Sequence, residues 1–379
     1  MTIPHPPQVR IGIVGPSWWV DYWHLPALRN NPHATVVGVC GERSREAGEV
    51  KAKYGAEAVY YTSLEQMLDT EAPHGVIVCT PNDLHHPSVM AALRCGIHVT
   101  CEKPLALNAA QAREMAETAA RAGLIGMTNF PYRGNPAVQR LRELLRSGCI
   151  GVPLHIYGAY NGGFGLTGRP GWRGGWARSG AGILGDLGSH LIDLIRFTTG
   201  REFRSVCSHG LTLLRDDCAS NPRLIRMGDP AAGDVNDDSC AFLAELDGGM
   251  QAILHTSWAA CQGDGVQHQE LEVTGTEGRL RVFSSHRGIQ IDHLRREGGA
   301  WEALTVPGTS RPEEVGEPDE DYFRPGRNDA TNTTYRWIEA IRDGRTHISP
   351  SLEDGWRAQE VIDAVIAANA DRKWVDIQT

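Results

Sequence analysis

The first third of the chain alternates between short β-rich runs and segments with the periodicity of amphipathic helices. The β-rich runs are Val9–Val14, Thr35–Cys40, Val76–Cys79, Ile97–Cys101 and Leu124–Asn129. Helix formers with apolar residues spaced by about 3.6 fill gaps at Arg45–Tyr54, Leu84–Arg94 and Ala109–Ala122. This alternation predicts an α/β Rossmann fold, a doubly wound parallel sheet whose strands are joined by crossover helices.

The pattern changes after about residue 130. Strand patterns at 152–160, 241–246, 251–257 and 271–274 follow without intervening helices, and 247–249 and 276–278 have the composition of hairpin turns. They predict an α+β region with a large, mostly antiparallel sheet. A chain of 379 residues exceeds what one hydrophobic core usually serves. We therefore expect two domains, over residues 1–130 and 131–379.

Charge and cysteine usage restrict the partners and the compartment. The chain has 46 acidic and 37 basic residues, for a formal charge of -9, and no concentrated basic stripe, so we expect no nucleic-acid partner. No apolar stretch approaches the length of a membrane span, and the start lacks the pattern of a signal peptide. The nine cysteines include no CxxC pair. Buried thiols in a soluble, unexported, cytoplasmic protein are the expectation.

A glycine turn follows the first predicted strand. Gly12 and Gly15 stand where a dinucleotide-binding turn needs a tight bend and a close approach to phosphate, before a helix N-terminus. The next two glycine positions of that pattern hold Ser17 and Val20, and the bulky Trp18 lies between them. The Ser17 hydroxyl and amide can still donate to a pyrophosphate. The turn also fits a simple strand-to-helix junction.

The end of the second strand bears on the choice of cofactor. Gly41 stands where an acidic side chain commonly holds the ribose hydroxyls of NAD. The neighbouring Arg43 and Arg45 make a 2′-phosphate tolerable, whereas Glu42 is an alternative ligand for the ribose. The sequence leaves NAD and NADP both open.

Two further polar segments follow strands of the same predicted sheet. Thr80, Asn82 and His85 follow the run at 76–79, and their small and amide groups can approach a nicotinamide. In the alternative interpretation, Asn82 or Asp83 caps the next helix. His85 and the adjacent histidine have no matching cysteine set or HExxH motif, so we assign no metal.

Lys103 stands where the run at 97–101 ends, between Glu102 and Pro104. Pro104 disfavours helix at Lys103 and keeps it extended, and the carboxyl ends of parallel strands are where such sheets bind ligands. The ammonium is therefore directed at a crevice in one interpretation. In the other, it is an ordinary charge at the end of a strand.

A glycine-rich entry to a helix carries Asp186 and His190, four residues apart and so on one helix face. An imidazole can accept and return a proton at cellular pH, and a neighbouring carboxylate can orient it and raise its basicity. This pair suits a dehydrogenase that transfers hydride from an alcohol. The alternative is a capping aspartate followed by a packed histidine.

Together these elements resemble the Gfo/Idh/MocA oxidoreductases, which include glucose-fructose oxidoreductase and inositol 2-dehydrogenase. The resemblance spans nearly the whole chain and rests on Gly12–Gly15, Thr80–Asn82, His85, Gly96–Val99, Glu102–Leu105, Arg133, Pro136, Trp172–Arg173 and Asp186–His190. It implies that Lys103, Asp186 and His190 are catalytic. The candidate cofactor-binding residues are Gly12, Gly15, Ser17, Trp18, Gly41, Arg43, Thr80, Asn82, His85, Glu102, Lys103, Trp172 and Arg173.

The resemblance also implies an activity. Hydride would move between NAD or NADP and a secondary alcohol or ketone of a sugar, sugar derivative or cyclitol. His190 would remove the hydroxyl proton, Lys103 would stabilise the alkoxide, and Asp186 would orient the imidazole or bind a substrate hydroxyl. Residues 1–130 would bind the dinucleotide, and 131–379 would bind substrate and form a homodimer or homotetramer. Dihydrodiol oxidation, keto-sugar reduction and NAD(P) sensing without turnover remain alternatives.

Overall fold

The computed structural model describes most of the chain as two compact units. The described residues are 6–42, 45–166, 171–214, 223–226, 234–260, 267–286, 288–306 and 330–378. The first unit comprises Met1–Pro131 and Gly326–Gln359, and the second comprises Tyr132–Pro325 and Glu360–Thr379. The boundary predicted at residue 130 assigns all later residues to the second domain, whereas residues 326–359 belong to the first unit.

The first unit contains a six-stranded parallel sheet. Its strands are β1 (Val9–Val14), β2 (Ala34–Cys40), β3 (Val59–Tyr61), β4 (Gly75–Val78), β5 (His98–Cys101) and β6 (Gly126–Thr128). The order β3-β2-β1-β4-β5-β6 reverses direction between β1 and β4. That reversal opens the crevice where doubly wound sheets bind ligands, beyond the carboxyl ends of the strands. The predicted Rossmann fold is confirmed.

Helices cover both faces of this sheet. They are α1 (Leu25–Asn30), α2 (Ala47–Tyr54), α3 (Leu64–Glu71), α4 (His85–Arg94) and α5 (Ala109–Ala122). The three predicted helices are present, and α1 follows the glycine turn where a helix was expected, whereas β3 and α3 were not anticipated. The strand β3 has only three residues, and Val59 in it is 43% exposed, so it lacks the long apolar run that marks a buried strand.

The return of the chain to the first unit has a packing reason. After residue 330 come α9 (Thr333–Arg342) and α10 (Leu352–Asp371). Trp337, Ile338 and Ile341 of α9 join one buried apolar cluster with β1 and β4. Gly75 of β4 leaves room for that indole, since a Cβ there would lie 2.5 Å from Cη2 of Trp337. A sheet face that the first 130 residues leave uncovered is thus closed by a distant segment.

The second unit contains a ten-stranded sheet. Its strands are β7 (Pro153–Asn161), β8 (Phe203–Leu214), β9 (Arg223–Arg226), β10 (Ser239–Leu246), β11 (Met250–Ser257), β12 (His268–Gly275), β13 (Gly278–Ser285), β14 (Gly288–Arg295), β15 (Trp301–Leu304) and β16 (Val375–Asp376). The order is β15-β14-β13-β12-β7-β11-β10-β8-β16, with β9 on β8. Among the strands that the structure describes in this unit, only β7 and β11 run parallel to each other, so the mostly antiparallel sheet is confirmed.

Helices of this unit pack against its sheet. They include α6 (Pro136–Arg146), which contacts β13 and β14, and α8 (Ser189–Thr199), which contacts β7, and the short α7 (Trp176–Ser179) precedes α8 in the chain. A Cβ at Gly158 of β7 would meet Ile195 and Leu191 of α8 at 3.5 and 3.7 Å, so helix and sheet pack closely. The predicted hairpin turns join β10 to β11 and β12 to β13. Among the described residues, no helix has the length and apolarity needed to cross a bilayer.

Gly75→Ala tests the packing of α9 on the first sheet. The added methyl would overlap the Trp337 ring, and overpacking of this kind costs about 1–3 kcal/mol of unfolding free energy. Urea unfolding would measure the loss. The control is Gly48→Ala in α2, where nothing lies within 4 Å of the new Cβ and the change should be neutral or stabilising by up to about 1 kcal/mol. Equal effects at the two glycines would contradict the packing account.

Candidate functional site

The glycine turn after β1 presses against the loop that follows β4. Gly15 has φ +79°, and its N–H donates to the Cys40 carbonyl at 2.9 Å. A Cβ at Gly15 would lie 2.7 Å from the Cys79 carbonyl oxygen and 2.8 Å from Cγ2 of Thr80. Gly12 is nearly as close to α3, because a Cβ there would be 3.0 Å from Cε of Met67. The turn therefore requires glycine at residue 15 for both its conformation and its space.

The residues that replace the later glycines of the pattern are accommodated by local structure. Oγ of Ser17 lies 3.2 Å from Sγ of Cys79 and 3.4 Å from the Val20 amide nitrogen. Val20 is fully buried and begins a π-helical turn, Val20–His24, which leads into α1. Trp18 is 60% exposed at the start of this segment. A wider helical turn thus leaves room for a core side chain where the glycine pattern has none.

The loop after β4 presents a threonine hydroxyl and a buried amide. Oγ1 of Thr80 is buried, and the described residues give it no hydrogen-bond partner. Asn82, which is 4% exposed, begins a 3₁₀ turn before α4. The residues at the N-cap positions of that turn and of α4 are Pro81 and Leu84, and neither makes a side-chain cap hydrogen bond. The unsatisfied hydroxyl beside the glycine turn is a group that a bound ligand can satisfy.

His85 ties two loops of this edge together. Its ring is fully buried, with Nδ1 3.0 Å from the Pro104 carbonyl oxygen and Nε2 3.0 Å from that of Thr80. Burial lowers the pKa of the imidazole, and the two backbone carbonyls oppose that shift. Both ring nitrogens thus face protein oxygens. The ring fixes the Thr80 loop relative to the loop that carries Lys103.

Glu102 is a buried carboxylate at the end of β5, immediately before Lys103. Its Oε1 accepts hydrogen bonds from Nε1 of Trp19 at 2.7 Å and Nδ2 of Asn129 at 2.5 Å. Nε2 of His24 lies 2.9 Å from the same oxygen. Burial acts to raise the pKa of Glu102, but the hydrogen bonds and the charge of Lys103 outweigh it, and the pKa is lowered. The carboxylate is therefore ionised where the catalytic lysine is predicted.

Further polar side chains extend this network to α9. Nδ1 of His24 lies 2.7 Å from Oγ1 of Thr334, and Oγ1 of Thr333 donates to Oδ1 of Asn129 at 2.5 Å. Nε1 of Trp23 donates to Thr333 at 3.1 Å. The sequence interpretation did not identify His24, Asn129, Thr333 or Thr334, because single buried polar side chains far apart in the chain leave no local pattern. His24, Cys79 and Glu102 place ligand atoms within 4.8 Å of one another, but the contacts above already engage each of them.

Lys103 lies at the carboxyl edge of the sheet, as predicted. The Glu102 N–H donates to the Val78 carbonyl at 2.9 Å, so the segment continues the pairing of β5 with β4 by one residue. The Lys103–Pro104 peptide is cis. The Lys103 amide nitrogen lies 3.4 Å from Oε2 of Glu102. The backbone of Lys103 is thus positioned by the Glu102 side chain at its amide and by the contact of His85 with the next residue, Pro104.

At the end of β2, the Gly41 N–H donates to the Tyr61 carbonyl at 3.1 Å. Pro16 and Tyr60 lie close to the α-carbon of this glycine. Glu42 and Arg45 are exposed, and Arg43 lies outside the described residues.

In the second unit, Asp186 lies on a π-helical turn, Leu184–Gly188, that precedes α8. Its Oδ1 is 3.6 Å from Nε of Arg173, and its Oδ2 accepts from Nε1 of Trp258 at 3.3 Å. The Arg173 guanidinium lies over the Trp172 ring at 4.5 Å. The predicted residues Trp172, Arg173 and Asp186 are therefore neighbours. The turn is π-helical rather than the regular helix assumed from the spacing of Asp186 and His190, and neither it nor α8 has a side-chain cap.

His190 packs against a pair of tyrosines. Its ring is 4% exposed, with centroids 4.6 Å from Tyr132 and 6.0 Å from Tyr160. The two phenol oxygens are 2.7 Å apart, and Tyr160 donates to Oε1 of Gln267 at 3.0 Å. The sequence interpretation did not single out either tyrosine. An imidazole beside a hydrogen-bonded pair of phenols is positioned by ring packing as well as by polar groups.

A buried ion pair holds this arrangement on α8. Arg133 donates through Nε and a terminal nitrogen to the two Asp193 oxygens at 2.9 and 2.5 Å, and both side chains are buried. Arg133 follows Tyr132 directly, and Asp193 is one helical turn beyond His190. The pair therefore fixes the phenol of Tyr132 relative to the imidazole.

A second buried carboxyl group lies under the π-helical turn. Asp237 is fully buried, and burial raises its pKa well above the ordinary value of 3.8. A Cβ at Gly182 would collide with its Oδ1, so the backbone before Asp186 passes directly over this group. The segment that leads into the turn of Asp186 therefore packs on Asp237, a carboxyl group whose burial favours the neutral form.

Known proteins share both halves of this chain. A model of an oxidoreductase family with an NAD-binding Rossmann fold matches residues 9–130, and a model of the GFO/IDH/MocA C-terminal domain matches residues 138–281. The chain belongs to the Gfo/Idh/MocA family. The predicted family and the NAD-binding Rossmann domain are thereby confirmed, and with them the prediction of an oxidoreductase that uses a nicotinamide cofactor.

Individual relatives agree with this assignment. Levoglucosan dehydrogenase of Pseudarthrobacter phenanthrenivorans is 27% identical over 94% of this chain and 92% of its own. Inositol 2-dehydrogenase of Rhizobium meliloti is 26% identical over 97% and 99%. Among solved structures, levoglucosan dehydrogenase in complex with NADH and levoglucosan superposes with a TM-score of 0.80 over 98% of this chain and 100% of that one, at 22% identity. At that identity the structure shows the shared fold alone.

Glu102→Gln tests the buried network through pH. Because the folded-state pKa of Glu102 is below its ordinary 4.5, the carboxylate stabilises the fold above pH 4.5, and this contribution is lost as pH falls through the folded pKa. At pH 7 the variant should lose about 2–4 kcal/mol of unfolding free energy, and this deficit should shrink in acid. Urea unfolding at pH 7 and pH 4 measures both.

Glu57→Gln, at an exposed position, is the matched control, with an expected change within about 0.5 kcal/mol. A deficit for Glu102→Gln that is the same at both pH values would mean that the carboxylate charge contributes nothing.

Proposed function

We propose that the protein is an NAD(P)-dependent dehydrogenase that transfers hydride between the nicotinamide and a secondary alcohol or ketone of a sugar, sugar derivative or cyclitol. The main support is the three-donor anchorage of Glu102 directly before Lys103, at the carboxyl edge of an NAD-binding Rossmann sheet. Such an anchorage is what a preorganised cationic group needs. The two relatives above are named for action on levoglucosan and inositol, both polyhydroxylated rings.

The proposed roles follow from the chemistry of each side chain. His190 accepts the hydroxyl proton of the substrate, and the nearby phenols of Tyr132 and Tyr160 hold its ring. Lys103 donates a hydrogen bond to the alkoxide as it forms. Asp186, held by Arg173 and Trp258, binds a substrate hydroxyl or orients the imidazole. When bound, the nicotinamide supplies the acceptor for the hydride that leaves the same carbon, so the products are a ketone, the reduced cofactor and a proton.

The cofactor is proposed to lie along the carboxyl edge of the first sheet. The turn at Gly12 and Gly15 admits the pyrophosphate, and the unsatisfied Thr80 hydroxyl offers it or the nicotinamide a hydrogen bond. The remaining proposed contacts are Ser17, Trp18, Gly41, Arg43, Asn82, Glu102, Lys103, Trp172 and Arg173. His85 has both ring nitrogens on backbone carbonyls, so we propose that it positions these loops.

Lys103→Met and His190→Asn test the two central roles. We expect kcat to fall about 10²- to 10³-fold without the ammonium and about 10²- to 10⁴-fold without the imidazole. The Kd for NADH should stay within about threefold in His190→Asn, because the imidazole is proposed to act on the substrate in the transition state. Turnover would be followed at 340 nm with a panel of polyols that includes myo-inositol and levoglucosan.

The control is Lys51→Met on the exposed face of α2, which should leave kcat unchanged. Unchanged turnover in Lys103→Met would remove that residue from the mechanism. Tight nucleotide binding with no turnover on any polyol would favour a nucleotide sensor instead.

We also propose that the sheet of the second unit assembles the protein into a homodimer or homotetramer. Leu243, Ile253 and Tyr157 are in register on neighbouring strands and are 45%, 47% and 37% exposed on the same face. An apolar row across three strands is typical of an interface, and a two-fold axis would let it meet its own copy. The cytoplasmic location expected from the cysteines remains a prediction.

Ile253→Glu should dissociate the assembly, because each subunit would bury a carboxylate against apolar side chains. Sedimentation velocity would show the shift to the monomer mass. Gln251→Glu, two residues earlier on the same strand face and exposed, is the control for added charge and should leave the mass unchanged. A wild-type monomer would contradict the proposal outright.

A further inference from the structure

The end of β2 is built differently from the usual ribose site. In sheets that select NAD, an acidic side chain at this position binds the ribose hydroxyls. Here residue 41 is glycine, and a Cβ would collide with the phenol oxygen of Tyr60 while lying 3.1 Å from Cδ and Cγ of Pro16. The Gly41 backbone is not in the left-handed region, so the constraint on a side chain here comes from Tyr60 and Pro16 rather than from φ. The phenol oxygen stands where an acidic side chain would begin.

Tyr60 is held at this place by the sheet. It lies on the edge strand β3, where it pairs with Val39 of β2, and its ring packs against the apolar cluster of the first unit. The hydrogen bond from the Gly41 N–H to the Tyr61 carbonyl, at 3.1 Å, continues the pairing of the two strands beyond Cys40. The Tyr60 ring therefore packs against the core, and its phenol oxygen lies next to Gly41, just beyond the end of β2.

We propose that the Tyr60 hydroxyl determines cofactor choice at the 2′ position of the adenosine ribose, donating a hydrogen bond to the 2′-phosphate of NADP(H). This inference rests on the nucleotide binding of the first unit. A phenol is a neutral donor and does not repel a phosphate as a carboxylate does. Of the described residues that follow Gly41 in the sequence, Glu42 is acidic and Arg45 is basic. The protein then binds NADPH at least as tightly as NADH.

The structure also predicts a coupling between residues 41 and 60. Gly41→Asp alone must displace the phenol that occupies the space of the new side chain, so we expect it to give a weaker NADH site than a variant without that ring. Gly41→Asp combined with Tyr60→Ala removes the obstruction and supplies the carboxylate. The double variant should therefore bind NADH more tightly than Gly41→Asp does and should reject NADPH.

Direct binding tests the proposal without turnover. Kd values for NADPH and NADH would be measured by quenching of tryptophan fluorescence, in wild type, Tyr60→Phe, the two variants above and the control Tyr335→Phe in α9. Tyr60→Phe keeps the ring and removes the hydroxyl. We expect it to weaken NADPH about tenfold, the loss typical of a hydrogen bond to a charged group, and NADH about threefold or less. The melting temperature and the Tyr335→Phe affinities should match wild type.

Each outcome has a definite meaning. Tyr60→Phe with unchanged affinity for NADPH would overturn the proposed donor, and a wild-type Kd for NADH below that for NADPH would overturn the proposed preference. Tight NADH binding by Gly41→Asp alone would show that the phenol does not control access to this position. If the wild-type protein bound neither NADPH nor NADH, nucleotide binding itself would be contradicted, and the proposed function would fail with it.

Discussion

A buried carboxylate, that of Glu102, is the constraint on which the nucleotide-binding unit depends. An ionised carboxylate taken out of water costs several kcal/mol unless its oxygens receive hydrogen bonds. Here one oxygen receives them from Trp19 and Asn129 and is also contacted by His24. These partners come from the glycine-turn helix and the segment after β6, and α9 holds them from behind. One charge thereby ties together four stretches of chain and fixes the backbone from which Lys103 projects.

The second unit solves a similar problem with an ion pair. Asp193 and Arg133 are both buried, and their two hydrogen bonds compensate the loss of hydration on each side. The segment so fixed carries Tyr132, which packs on His190. In the first unit, Lys103 follows the buried charge of Glu102. In the second, His190 lies near the buried pair of Arg133 and Asp193. The scaffold and the candidate site therefore share the same interactions.

The altered glycine pattern of the first turn is explained by what its glycines do physically. Gly15 is irreplaceable, because both its φ angle and its distance to Cys79 exclude a side chain. The later positions need only a helix that packs on the sheet, and the π-helical turn provides this with Val20 in the core. At Gly41 the missing acid is matched by a phenol from the neighbouring strand. Each residue that differs from the motif is accommodated by structure outside the motif, the π-helical turn at Val20 and the Tyr60 ring at Gly41.

Local patterns were sufficient for much of the fold. Alternating strands and helices predicted the parallel sheet, because the burial that parallel strands require leaves long apolar runs. The short edge strand β3 left no such run. The positions of Lys103 at a strand end and of Asp186 before a helix were likewise readable, since a strand end and a helix start have local signals.

The sequence by itself determined the family, the sheet of each unit and the identity of the residues proposed for catalysis. Only the tertiary structure decided their surroundings: Thr333 and Thr334 behind Glu102, Tyr132 and Tyr160 around His190, and Tyr60 over Gly41. The physical reason is that hydrogen bonds and ring contacts join side chains that are far apart in the chain. A single polar residue in a sequence does not show which buried partner it meets.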